Sequence, residues 1–120
     1  DKLRAIRGAI TVDENTKKAI KKASQELITQ VLKKNKLNEK DIISIIFTAT
    51  DDLDQLYPAE AIREIGFKYT PLMCCQEMKV KNTLSRCIRV MVYTNKDMKL
   101  KEVSHIYLKK ASNLRKDLTK

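Results

Sequence analysis

Residues 42–50, Ile-Ile-Ser-Ile-Ile-Phe-Thr-Ala-Thr, form an almost unbroken apolar run of β-forming type. A short run like this, bounded by polar residues, reads as a strand, and its weak alternation implies burial on both faces. A chain of 120 residues can build one two-layer core around such a strand, and not two. The neighbouring segments fit that core. Residues 3–12 read as a first strand rich in Ile, Ala and Val. Asn15 stands where a helix N-cap is wanted. From 16 to 34 the apolar residues Ile20, Ala23, Leu27, Ile28, Val31 and Leu32 share one helical face, and Lys17, Lys18, Lys21, Lys22 and Lys33 lie mostly off it. Pro58, suited to a first helical position, opens a short helix that runs to about Ile65 and is closed by Gly66. Residues 68–78, 85–94 and 105–111 read as further strands. Residues 113–120 read as a polar, mobile tail beyond a single domain spanning 1–112.

This order predicts an α+β fold, a mixed sheet of about five strands with one long and one short helix. One long helix covers one face of a sheet. The other face is apolar enough to need a partner, which predicts a homo-oligomer. No apolar run approaches ~18 residues, so no membrane-spanning helix is expected. The first residues, Asp1-Lys2-Leu3-Arg4, show no signal-peptide core. The three cysteines, two of them adjacent, do not read as a disulfide framework, and a reducing, cytoplasmic setting fits them best. With one histidine, His105, and no paired-cysteine spacing, no metal site is expected. Glycine-rich phosphate loops, nucleophile elbows and metalloprotease helices are absent from the sequence.

The net charge of +10 favours anionic partners. Of the 25 basic residues only six are arginines, the residue suited to planar, bidentate recognition of carboxylates. Two of the six stand inside apolar strands. Arg89 shares a face with Cys87 and Met91, and Arg7 shares one with Leu3, Ala5 and Ala9. A cation there is costly unless it is paired, used, or able to reach water. Glu77 is either an ion-pair partner for one of these arginines, the more common outcome, or an acceptor for a ligand hydroxyl. Cys74 reads as a small core residue more readily than as a nucleophile. His105 reads as structural, and Tyr107 shares its strand parity. The acidic residues Asp51, Asp52 and Asp54 read as a solvated loop. Several arginines, one carboxylate, a thiol and a tyrosine, with no evident base–nucleophile pair, suit the binding of a small dianion by position and electrostatics.

The same residues carry a resemblance. Arg4-Ala5-Ile6-Arg7-Gly8-Ala9-Ile10-Thr11-Val12, Cys74-Cys75-Gln76-Glu77-Met78, Cys87-Ile88-Arg89-Val90-Met91, His105-Ile106-Tyr107-Leu108 and Leu114-Arg115 occur in an order that resembles the small trimeric chorismate mutases. Thr48-Ala49-Thr50-Asp51-Asp52-Leu53 and the segment from Tyr57-Pro58-Ala59 to Arg63-Glu64 fit as well. The resemblance implies a homotrimer forming a pseudo-α/β-barrel, with active sites at the subunit interfaces. It implies conversion of chorismate to prephenate in aromatic amino acid biosynthesis, with no cofactor or metal and no nucleic-acid or membrane partner. By motif position, Arg7 and Tyr107 would hold a substrate carboxylate, and Arg89 the ether oxygen and the pyruvyl carboxylate. Glu77 and Cys74 would share hydrogen bonds with the ring hydroxyl. Arg63 and Arg115 would lie at the mouth, and Tyr57, Met73 and Leu114 would line the pocket. Arg7 and Arg89 are expected to come from different subunits. Glu60 stands where the family often has lysine, and Lys116 where proline is common. Readings from other classes are a deaminase-like trimer of similar fold and a basic nucleic-acid-binding module.

Overall fold

A computed structural model describes residues 3–117. Strand β1 (Arg4–Thr11) is followed by helix α1 (Lys17–Lys34), strand β2 (Ile42–Ala49), helix α2 (Pro58–Arg63) and strands β3 (Leu72–Gln76), β4 (Cys87–Thr94) and β5 (Ile106–Leu108). The strands form one sheet in the order β3-β2-β4-β1-β5. The β1–β4 and β2–β4 pairs are antiparallel, while β1–β5 and β2–β3 are parallel. The mixed five-stranded sheet with one long and one short helix agrees with the sequence reading.

Helix α1 is amphipathic because its apolar residues recur at helical spacing. Ile20, Ala23, Leu27, Ile28 and Val31 are buried against Ile6, Ile10, Ile45, Phe47, Ile88, Val90 and Val92 of the sheet. Thr16, not Asn15, caps the helix: its hydroxyl accepts from the Ala19 amide at 3.1 Å. The Asn15 side chain donates instead to Asp54 at 2.7 Å. At the other end buried Asn35 donates to the Val31 and Ser104 carbonyls and accepts from the Ser104 amide, tying α1 to the approach to β5.

Several expected boundaries contract. Strand β4 begins at Cys87, because Arg86 adopts a positive φ of 45°. The last strand spans three residues and stops at Lys109, whose φ is 54°, and a 3₁₀ turn over Lys109–Asn113 follows. Strand β3 keeps only the middle of the predicted extended segment. Ile42, Ile45 and Phe47 are buried, but Ile43 is exposed and Ile46 half-buried, so β2 is not enclosed on both faces. The helices cover one side, and Ile43 falls at an irregularity in the β2–β4 pairing. Of the predicted tail, Leu114 packs against the small cluster of Ala9, Cys87, Tyr107 and Ala111, and residues 118–120 lie outside the described part.

Gly8 lies on the helix-facing side of β1, where α1 and β5 close over the strand. A Cβ there would stand 2.9 Å from Val90 Cγ2, 3.1 Å from Leu27 Cδ1 and 3.3 Å from the Ile106 carbonyl oxygen. Overpacking a filled core typically costs about 1–3 kcal/mol. Gly8→Ala is therefore expected to lower the unfolding free energy by about that amount, as read from the urea midpoint. An unchanged midpoint would show that the layer has room the packing denies.

Candidate active site

The strand register decides which side chains meet. Across β5, β1, β4, β2 and β3, the residues Tyr107, Ala9, Arg89, Thr48 and Cys75 stand side by side in one row. The next row contains Arg7, Met91, Ile46 and Met73. Both rows project from the face opposite α1, because alternate side chains point to opposite faces. Gly8, Ile88, Val90 and Phe47, of the other parity, fill the core beneath. Arg7 and Arg89 are thus diagonal neighbours on adjacent strands of one chain, which corrects the expectation that they come from different subunits.

Glu77 follows β3 and is held by its backbone. Its amide donates to the Ala49 carbonyl at 2.9 Å, which turns the side chain over the end of β2. One carboxylate oxygen accepts a hydrogen bond from the Thr48 hydroxyl. The other lies 3.9 Å from an Arg89 guanidinium nitrogen, a long ion pair at the edge of contact. Arg7, Arg89, Glu77, Tyr107, Arg115 and Thr48 together line a cleft of about 310 Å³. The Arg7 amide donates to His105 Nδ1 at 2.9 Å, so the one histidine anchors the strand that carries Arg7. Tyr107 is buried beside Ala9 and Cys87. Arg115 is gripped by Asp117 through two bonds of 3.0 and 2.8 Å.

Cys74 belongs elsewhere. It pairs with Phe47, so it has the helix-side parity, and it lies on an edge strand beside α2. It lines a separate cleft of about 540 Å³ with Tyr57, Glu60, Cys75 and Gln76. Burial pushes its thiol up, more than the Ala59 backbone and the Arg63 charge pull it down. Burial likewise pushes the Cys87 thiol up to about 11 against the pull of Arg89. Both sulfurs are therefore neutral thiols near pH 7. Arg63, Tyr57 and Met73 are all exposed. The structure thus gathers Arg7, Arg89, Glu77, Tyr107 and Arg115 into one half-site. It leaves Cys74 and Tyr57, with Arg63 close to the thiol, in another, and does not bring Cys74 to Glu77.

Two residues escaped the sequence reading. Thr48 floors the cleft, and the signal for it was a hydroxyl on the open-face parity of an apolar strand, a parity it shares with Ser44. Asp52 is not an idle loop acid. Both its oxygens accept from the Arg86 amide, at 3.1 and 2.9 Å, and one accepts from Thr50 at 2.5 Å. Thr50 in turn accepts from the Cys87 amide at 3.0 Å, and Arg86 Nε donates to the Val12 carbonyl. This latch joins the ends of β1, β2 and β4 and fixes where β4 starts, two residues before Arg89.

Comparison with known proteins decides the family. The model of chorismate mutase type I matches residues 3–118. The chain belongs to the chorismate mutase type I family. It is 43% identical over 117 residues to the chorismate mutase AroH of Thermus thermophilus, covering 97% of this chain and 96% of that one. It is 37% identical over 118 residues to the chorismate mutase AroH of Bacillus subtilis, covering 98% and 93%. The solved structure of a chorismate mutase from Clostridium thermocellum superposes with a TM-score of 0.89 at 48% identity, covering 91% of this chain and 97% of that one. Membership of this family sets aside the deaminase-like and nucleic-acid-binding readings. Among the described residues no helix is long and apolar enough to cross a membrane.

Proposed function

We propose that this chorismate mutase family member converts chorismate to prephenate in aromatic amino acid biosynthesis, using Arg89 as the principal electrostatic catalyst. The observation that carries the reading is the convergence of Arg7, Arg89, Tyr107 and Glu77 on one cleft. The substrate is a dianion with a ring hydroxyl, and the cleft offers two strand-fixed guanidinium groups, a phenol and a carboxylate. In the rearrangement a C–O bond breaks while a C–C bond forms, and no proton moves. Negative charge grows on the ether oxygen. A guanidinium fixed beside that oxygen favours the transition state over the ground state, which is what raises the rate. Arg7 and Tyr107 hold a carboxylate, Glu77 accepts from the ring hydroxyl, and the compact reactive conformer is retained.

The half-sites support an oligomer with shared pockets. Cys74 and Glu77 cannot meet around one substrate within a chain whose sheet separates their faces. The exposed edge strand β3 with Met73, and the half-apolar open face of Ile46, Met91 and Tyr93, offer the surface for a second copy. A homotrimer then closes each pocket by setting Arg63, Tyr57, Met73 and Cys74 of one subunit against Arg7, Arg89, Glu77 and Tyr107 of the next. Leu114 and Arg115 flank the mouth. Glu60 lines the Cys74 half and puts a negative charge near the path of a dianion. The free thiols support a reducing, cytoplasmic setting.

Loss of chorismate absorbance, followed by acid conversion of the product to phenylpyruvate, tests the function directly. Enzyme-dependent loss with phenylpyruvate recovered is expected. Chorismate that persists at the uncatalysed rate would end the reading.

Cys74 acts in this scheme as a neutral hydrogen-bond donor. Cys74→Ser should retain substantial activity, and Cys74→Ala should lose on the order of 1 kcal/mol, one neutral hydrogen bond. The rate should show no bell-shaped pH dependence near neutrality, because no acid–base pair is at work. A covalent adduct trapped on Cys74 during turnover would contradict both expectations.

A further inference from the structure

We infer that Thr48 is a positioning residue for the reaction, holding the Glu77 carboxylate in the orientation that receives the substrate's ring hydroxyl. The inference rests on the reading of Glu77 given above and goes beyond it, to what aims that carboxylate. Glu77 lies past the last residue of β3, where its side chain is not locked by strand packing. Two contacts fix it: the backbone bond to Ala49 and the hydroxyl of Thr48. The ion pair to Arg89, at 3.9 Å, is too long to set an orientation. Thr48 is itself well fixed. It sits within β2, paired with Arg89 on one side and Cys75 on the other, and its branched Cβ restricts rotation. Its hydroxyl has one proton to give, and a carboxylate is acceptor-only, so the direction of the bond is unambiguous. By occupying one oxygen, Thr48 leaves the other facing Arg89 and the cleft. It also offsets part of the desolvation of a carboxylate set between a guanidinium and an apolar sheet. Without that hydroxyl the carboxylate can swing onto Arg89 and close a tight ion pair, taking both groups away from the substrate.

The test is a double-mutant cycle on the intact oligomer with chorismate as substrate. Thr48→Val removes the hydroxyl at constant shape and β-propensity, and Thr48→Ala serves as the second variant if valine disturbs the sheet. Either should lower kcat/KM roughly tenfold, as expected for losing one hydrogen bond to a charged group. Thr48→Ser, which restores only the hydroxyl, should recover most of that loss. In a Glu77→Ala background the Thr48→Val change should cost less than about twofold, because its target is gone. Near-native kcat/KM in Thr48→Val and Thr48→Ala, or an undiminished loss in the Glu77→Ala background, would overturn the assignment. A Glu77→Ala enzyme with native kcat/KM would instead remove the role of Glu77 on which the inference stands.

Discussion

Arg89→Met is expected to reduce turnover by two to four powers of ten, about 3–5 kcal/mol, with the fold intact. The size follows from what is lost. Removing a neutral donor from a developing oxyanion already costs a few kcal/mol, and here a full charge disappears from a half-buried site. Arg89 stands between Ala9 and Thr48 in the middle of the sheet, so no neighbouring cation can move into its place. Arg7 belongs to the next row of the same face. Arg89→Lys should restore only part of the activity, since an ammonium lacks the planar, two-pronged geometry that can reach the ether oxygen and a carboxylate together. Steady-state kinetics with circular dichroism on the same preparations checks both variants. Native-like turnover in a folded Arg89→Met protein would remove this residue from the chemistry.

The second large effect concerns subunits. Arg7 and Arg89 share one chain's half-site, so mixing Arg7→Ala subunits with Arg89→Met subunits should restore nothing: every pocket carries one defect or the other. Mixing Arg63→Ala with Arg89→Met subunits should behave differently. A pocket that takes its Arg63 side from the second variant and its Arg89 side from the first is whole, and random assembly gives such pockets about a quarter of the time. Activity should therefore climb from near zero to about a quarter of the native level. Native mass spectrometry identifies the mixed species. Recovery with the first pair and none with the second would place the two arginines on different subunits after all.

The fold was legible because the α1 face from Ile20 to Val31 has a clean helical period and residues 42–50 form a short apolar run of β-forming type, and a helix and a strand that both need burial bring the layers together. The two-sided burial read from that run did not hold, since Ile43 is exposed and Ile46 half-buried. Boundaries were less legible, because backbone geometry at Arg86 and Lys109 ends two strands where side-chain pattern would continue them. The site divided along the same line. Arg7 and Arg89 stood out as cations at apolar strand positions, a signal contained in the sequence. The partition of Cys74 from Glu77 was legible in principle: the two stand three positions apart in a segment read as extended, and alternation sends an odd separation to opposite faces, as the pairing of β3 with β2 bears out, whereas the resemblance set both on one ring hydroxyl. Thr48 and Asp52 were hidden for a different reason. Each acts through a hydrogen bond to a residue 29 or 34 positions away, which no local pattern records.

Isothermal titration of the native and Arg89→Met proteins with prephenate, and with a stable bicyclic ether dicarboxylate shaped like the transition state, separates transition-state stabilisation from simple anion binding. If Arg89 acts on the charge that develops at the ether oxygen, its loss weakens the bicyclic ligand by at least about tenfold more than it weakens prephenate. Equal weakening of the two ligands would mean that Arg89 only binds a carboxylate, and the electrostatic origin of the rate would be contradicted.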